Sequence, residues 1–272
     1  MRGAGVREVE LPLPPGPMPL RRGARPLKRW RYVGVFSDEV MICTGDVRVG
    51  PLAQRFWAVA ERGRPLVERT TTRAAGLRLD GSRVRVDAGE VRIDLALDEG
   101  AGVESIHPSG RRGYVWTRKQ AGIPARGEVR IGSRAYSLDA LAVVDDTAGY
   151  HERRTRWTWS AGVGRGTRGE RVGWNLVAGV NDSERASERS IWVGGEPSEP
   201  PPVTFSGDLS RIAFAGGEEL RFTEWCARED RTNLLLVRST YRQPFGTFTG
   251  SLPGGVRLAE GQGVVESHDA VW

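Results

Sequence analysis

LRLDGSRVRVDAGEVRIDLALD, residues 77–98, alternates apolar and polar side chains with a period of two. Leu77, Leu79, Val84, Val86, Val91, Ile93, Leu95 and Leu97 fall on one set of faces, and Arg78, Arg83, Arg85, Arg92, Asp94 and Asp98 on the other. A strand sends successive side chains to opposite faces, so this pattern specifies half-buried strands. Asp80-Gly81 and Ala88-Gly89 supply turns between the runs, and the stretch reads as a three-strand meander. Its arginines read as a solvated outer face.

The same grammar extends outward. EVRIGSRAYSLD (128–139) turns at Gly132-Ser133, SIWVGGEP at Gly194-Gly195 and RIAFAGGEELRF at Gly216-Gly217. NLLLVRSTYR (233–242) reads as one long, more buried strand. LAQRFWAVAERG (52–63) is the main helix candidate, although its spacing also suits a strand. With 36 glycines and 16 prolines in 272 residues, turns are frequent and long helical runs scarce. Strand-sized runs at this spacing predict an all-β protein of barrels or sandwiches. The halves have similar strand density without a sequence repeat.

The formal net charge of +6 invites a nucleic-acid reading, but its distribution argues otherwise. Residues 1–31 hold eight basic and two acidic side chains, which accounts for the whole excess. Residues 1–26 read as a basic, Pro-rich arm, solvated or in contact with an acidic surface, and nucleic-acid binding is not expected. No apolar run is long enough for a transmembrane segment. No apolar signal region precedes the arm, so a cytoplasmic location is expected, with Cys43 and Cys226 as reduced thiols.

Motifs for nucleotide, zinc-protease or serine-hydrolase chemistry are missing, and the three histidines are scattered; no metal and no cofactor are expected. Gly164-Arg-Gly166-Thr-Arg-Gly169 matches the dinucleotide pattern by letter. ERVGWNLVAGV follows it as a strand, where pyrophosphate binding requires a helix N-terminus. The glycines therefore read as a hairpin.

Chemistry concentrates in VDDTAGYHERRTRWTWSAG (144–162). Trp157 and Trp159 share one strand face, with Arg154 and Arg156 on the other. Two indoles in register either fill a core or form a flat wall for a lipophilic ligand. Asp145 and Asp146 end an apolar run, and neighbouring strand residues face opposite ways. One of them, Asp146 by preference, could be a desolvated general acid facing the indoles, or the pair could form an Asx-turn. His151 could orient a carboxylate or bond backbone. Tyr150 is a further lining candidate. Trp116, Arg118 and Lys119 could receive an anionic head group or lie on a surface strand. Trp30 and Tyr32 read as core residues of the first barrel. Glu188-Arg189 beside Trp192 reads as a structural ion pair or a binding element.

KRWRYVGVF (28–36), WTRK (116–119), DDTAGYHERRTRWTWSAG (145–162), WNLVAGV (174–180) and SERSIWVGG (187–195) resemble the bacterial family called domain of unknown function 2804. That family is similar, more distantly, to the carotenoid 1,2-hydratase and tocopherol cyclase group. The resemblance implies two lipocalin-like β-barrel or half-barrel domains, here 27–140 and 141–272. By the same analogy Asp146 would protonate an alkene, His151 or Asp145 would assist, and Trp157 and Trp159 would stabilise the cation. Thr147 follows Asp146 where the hydratases have an Asp-His pair. Three functions are therefore carried forward: an enzyme hydrating, cyclising or isomerising a small lipophilic molecule, a non-catalytic carrier or sensor of such a molecule, and an interaction protein using its arm.

Overall fold

A computed structural model of the protein describes residues 1–72, 76–234 and 237–271. A 3-10 turn, Ala4–Glu8, is followed by strands β1 (Arg21–Arg22), β2 (Arg25–Pro26), β3 (Lys28–Phe36), β4 (Val40–Val49), β5 (Leu52–Glu61), β6 (Val67–Thr71) and β7 (Leu77–Asp80). Next come β8 (Arg83–Ala88), β9 (Val91–Leu97), β10 (Val103–Ser109), β11 (Gly113–Ile131), β12 (Arg134–Gly149), β13 (Arg154–Gly166) and β14 (Arg171–Ala178). The chain ends with β15 (Ser190–Val193), β16 (Glu196–Ser198), β17 (Val203–Phe205), β18 (Arg211–Phe214), β19 (Glu219–Leu234), β20 (Val237–Leu252) and β21 (Val256–Val271). No helix among the described residues is long and apolar enough to cross a membrane.

Apart from β1 and β2, which pair only with each other, the strands form two curled antiparallel half-barrels. The first runs β6-β5-β4-β3-β12-β11-β9-β8-β7, with β10 also on β11; the second runs β16-β15-β14-β13-β21-β20-β19-β18-β17. Each closes its meander by pairing its first strand with its last, β3 with β12 and β13 with β21. One topology is thus built twice without a sequence repeat. Period-2 patterning constrains only which residues face inward, and many apolar sequences satisfy it.

The 77–98 meander forms as read: Asp80 pairs with Arg83 and Ala88 with Val91, and of the eight expected core-face residues Leu77, Val84, Val86, Val91, Ile93, Leu95 and Leu97 are buried and Leu79 partly so. Residues 52–61 adopt the strand alternative. The 233–242 stretch is divided between β19 and β20, and its residues 235–236 lie outside the described residues. The change of sheet falls between Gly149 and Arg154, so a division at 140/141 would cut β12.

Each sheet encloses its own apolar core, one around Val33, Trp57, Val86, Leu95 and Val144, the other around Trp174, Leu176, Ile212, Phe222 and Phe248. A third cluster lies where the sheets meet and draws Tyr32, Phe36, Cys43 and Val143 from the first, and Trp159, Val163, Phe245 and Val264 from the second. Both cysteines are free thiols. Gly173 makes close approach possible there, since a Cβ at this position would lie 2.6 Å from the Ala121 carbonyl carbon.

The glycine run after Trp159 also has a packing cause. β13 continues through Gly166 and β14 follows as a strand. A side chain at Gly162 would overlap the fully buried Trp174 indole. Gly162→Val is therefore expected to destabilise by about 1–3 kcal/mol through overpacking, read as a lower midpoint in urea with an unchanged slope.

The arm is not a solvated leader. Val6 and Leu13 are buried against Ile106, Trp116 and Tyr150. The Arg2 guanidinium donates to the carbonyls of Ser187 (2.7 Å) and Arg189 (2.9 Å), so the arm also ties the first sheet to the second. Arg2 is thus engaged inside the molecule, whereas Arg7, Arg21 and Arg22 of the arm stay exposed.

Candidate functional site

β12 carries Asp145 and Asp146 well inside a strand, which removes the Asx-turn. Strand alternation then separates them. Asp146 shares its face with Val144 and Ala142, the core side of the first half-barrel. Arg31 Nη1 donates to both its oxygens at 3.0 Å, and Arg118 donates to Oδ2 through Nη2 (2.7 Å) and Nε (3.1 Å). Glu99 accepts from both arginines and from Gln120. This charged layer separates the apolar core from the docked arm. The expected placement of Asp146 against the indoles is thus corrected: it lies on the opposite face from them.

Asp145 takes the seam side. In register it lies between Tyr32 on β3 and Lys119 on β11. Lys119 Nζ is 2.5 Å from Asp145 Oδ1 and 3.6 Å from Glu188 Oε2, and both Lys119 and Glu188 are buried. Burial favours the neutral amine, but the two carboxylates outweigh it and raise the Lys119 pKa. Burial, partly opposed by Lys119, raises that of Glu188. Glu188 therefore pairs with Lys119, whereas Arg189 donates to the carbonyls of 182–184. Trp116, Arg118 and Lys119 do not act as one cluster: Trp116 packs under the arm, and the two cations point to opposite faces.

The second sheet supplies the facing wall. Trp159 lies opposite Glu266 of β21 in register. The Trp159 indole donates to Asn175 Oδ1 (2.8 Å) and meets the Tyr32 ring edge-on at 5.3 Å between centroids. Trp157 Nε1 donates to Glu266 Oε1 (2.8 Å), and Gln243 Nε2 donates to Oε2 (3.0 Å). Glu266 is buried, and burial pushes its pKa up to about 7, with the Asp145 charge adding to the rise. One polar atom on each side of the seam, Tyr32 Oη on β3 and Gln243 Oε1 on β20, is buried without a hydrogen-bond partner among the described residues. Arg228 of β19 crosses the seam to Glu68 (2.7 Å) and lies over Phe56, 4.2 Å from its centroid.

His151 closes one end of the seam. It is buried and stacks near Trp30 at 5.2 Å, and its Nδ1 has no hydrogen-bond partner among the described residues. Burial, then Lys28, lowers its pKa to about 3. Tyr150 donates to the Pro19 carbonyl of the arm (2.8 Å), away from the indoles. Seam and arm thus divide the expected site residues: Asp145, Lys119, His151, Trp157 and Trp159 come together, while Asp146, Tyr150 and Trp116 lie elsewhere.

Glu266, Gln243 and Tyr32 escaped the sequence reading as site residues. Each sits in an ordinary alternating strand, and only β13–β21 pairing brings Glu266 beside Trp159. Glu266 directly follows Val264 and Val265, but β21 also carries Glu260 and Asp269, so the sequence does not single it out.

The family model described as "Domain of unknown function (DUF2804)" matches residues 68–272. No curated protein matches the sequence. Among solved structures, kievitone hydratase from Nectria haematococca aligns with a TM-score of 0.55 and 12% identity, over 90% of this chain and 88% of that one. A protein of Nitrosomonas europaea described as a candidate AttH aligns with a TM-score of 0.53 and 12% identity, over 95% and 98% of the two chains. At these identities the likeness is one of fold.

Proposed function

Because the chain belongs to the DUF2804 family and carries a buried acid between its two sheets, we propose that it is a proton-transfer enzyme of the hydratase or isomerase type. Its substrate is a small lipophilic alkene held in the seam. The observation that carries this reading is Glu266, an inter-sheet carboxyl pushed up to about 7 by burial and flanked by two indoles. A carboxylic acid that titrates near neutrality can hold a proton, give it up and recover it at working pH.

In this mechanism Glu266 protonates one alkene carbon, and the positive charge develops on the other. The faces of Trp157, Trp159 and Tyr32 stabilise that cation. Water adds to it and returns a proton to the Glu266 carboxylate, so the net change is addition of one water. Loss of a proton from the neighbouring carbon instead gives the isomer. Gln243 Oε1 is placed to accept from the protonated acid once the amide turns over. Asp145, ion-paired with Lys119, faces the same seam. We place the acid on Glu266 and not on Asp146, whose oxygens already receive four arginine hydrogen bonds. Kievitone hydratase, which has the same fold, is a hydratase by name; that supports the class of reaction.

The test is incubation with a panel of prenylated and terpenoid alkenes in oxygen-18 water, read by mass spectrometry. Labelled alcohol should form, and Glu266→Gln should lower its rate by about 10²–10⁴-fold. Turnover unchanged by this substitution would overturn the assignment. A retained lipophilic molecule with no conversion by the parent protein would favour the carrier reading.

A further inference from the structure

The charge excess of the chain sits in residues 1–31, where eight basic side chains stand against two acidic ones. Folding withdraws part of it. Arg2 is bound to backbone carbonyls, Arg31 to Asp146, and Lys28 is buried. Arg21, Arg22 and Arg29 stay exposed.

Three large hydrophobic side chains are exposed among the described residues: Leu20 (71%), Leu52 (68%) and Met1 (53%). Leu20 and Leu52 share one end of the first sheet with those arginines. Leu20 leads into the β1-β2 hairpin, and Leu52 follows the Gly50-Pro51 turn between β4 and β5. Leu27 bonds both elements. Its N–H donates to the Leu20 carbonyl (2.8 Å), and its carbonyl accepts from the Gly50 N–H (2.9 Å). A Cβ at Gly50 would lie 3.5 Å from the Pro26 Cβ, so turn and hairpin are in contact. Just inward of the turn, Arg29 pairs with Arg48 in register, and both side chains are exposed. Arg48 has Asp46 at 3.6 Å, but Arg55 holds that carboxylate more closely, at 3.0 Å. No ion pair engages Arg21 or Arg29 among the described residues.

Leucines standing in water beside unpaired arginines narrow the partner. A nucleic acid would take the arginines and leave the leucines exposed. The core of a protein interface is depleted of charge, yet here an arginine directly follows Leu20. A bilayer with anionic headgroups accepts both kinds of side chain. Apolar groups enter the acyl boundary, while guanidinium groups stay at headgroup level.

We propose that this edge, the β1-β2 hairpin with the β4–β5 turn, docks the protein on an anionic lipid surface. Leu20 and Leu52 insert, and Arg21, Arg22, Arg29 and Arg48 meet the headgroups. Docking is reversible and salt-sensitive, because two leucines bury far less than a membrane-spanning segment and exposed charges are screened. The proposal does not rest on the hydratase reading.

The experiment is co-sedimentation of the full chain with vesicles of phosphatidylcholine and phosphatidylserine, with pure phosphatidylcholine vesicles alongside. The parent should bind the anionic vesicles at least about tenfold more strongly than the neutral ones, and added salt should remove the difference. Leu20→Ser combined with Leu52→Ser should lower binding by about tenfold or more. Thermal unfolding of that variant should match the parent, since both side chains are already in water. Arg21→Gln combined with Arg29→Gln should lower binding by about tenfold and flatten its salt dependence. No binding by the parent, equal binding to neutral and anionic vesicles, or a leucine variant that binds like the parent would overturn the proposal. A preference of the parent for duplex DNA over anionic vesicles, kept by the leucine variant, would assign the edge to nucleic acid and overturn it as well.

Discussion

Methionine in place of Lys119 is expected to cost about 3–5 kcal/mol of stability at pH 7, a fall in Tm on the order of 10 °C. The methionine fills much of the same volume, so the loss is electrostatic. Lys119 Nζ stands between Asp145 at 2.5 Å and Glu188 at 3.6 Å, and removing it leaves carboxylates without a counter-charge between two sheets. The sign with pH follows. Glu188 is already raised by burial, and without the opposing Lys119 it rises further. A group raised in the folded state stabilises most below its unfolded pKa and loses that contribution as pH rises. The deficit of the variant should therefore be largest at pH 7–8 and shrink toward pH 4. Thermal unfolding across this range checks it; a deficit independent of pH would mean that packing, not charge, carries the effect.

Glutamine at position 266 should have the opposite consequence for stability. The parent carboxyl is raised from an ordinary 4.5 to about 7, mainly by burial. Its favourable contribution is complete below about pH 4.5 and is lost as pH rises through 7. The shift corresponds to about 3 kcal/mol. Glutamine cannot ionise, so Glu266→Gln should be more stable than the parent at pH 8, by up to about 3 kcal/mol, and equal to it near pH 4. Trp157 Nε1 can still donate to the amide oxygen, and a rotated Gln243 can offer its unpartnered Oε1 to the new amide N–H. The histidines do not confuse the comparison. Burial depresses His107, His151 and His268, which removes stability as pH falls below the ordinary histidine range, but equally in both proteins. Greater stability together with lost turnover is the pattern expected where a functional group is held at energetic expense. Parallel pH–stability curves for the two proteins would sink the assignment of a near-neutral acid at Glu266.

Much of the architecture was legible locally. Alternation over 77–98 gave both the strands and their buried faces, and the strand after Gly169 was enough to dismiss a cofactor loop. The WTW stretch likewise gave two indoles on one face. These are short-range consequences of backbone geometry, because a strand has only two faces and a tight turn needs few residues. The arm misled because its arginines look solvated one by one. Arg2 is the exception among them: its partners are the backbone carbonyls of Ser187 and Arg189, which no composition displays, while Arg21 and Arg22 are exposed as expected.

The sequence alone determined that Asp145 and Asp146 face opposite ways, since period-2 alternation allows nothing else. Only the tertiary structure decided which of the two meets the indoles. Alternation is unchanged when the sheet is turned over, so the choice depends on which face of β12 the second sheet covers. That face carries Asp145 and Lys119. The pairing of β13 with β21, across more than a hundred residues of chain, then sets Glu266 beside Trp159. Burial between the sheets, and not residue type, is what distinguishes this glutamate from the other carboxylates on alternating strands.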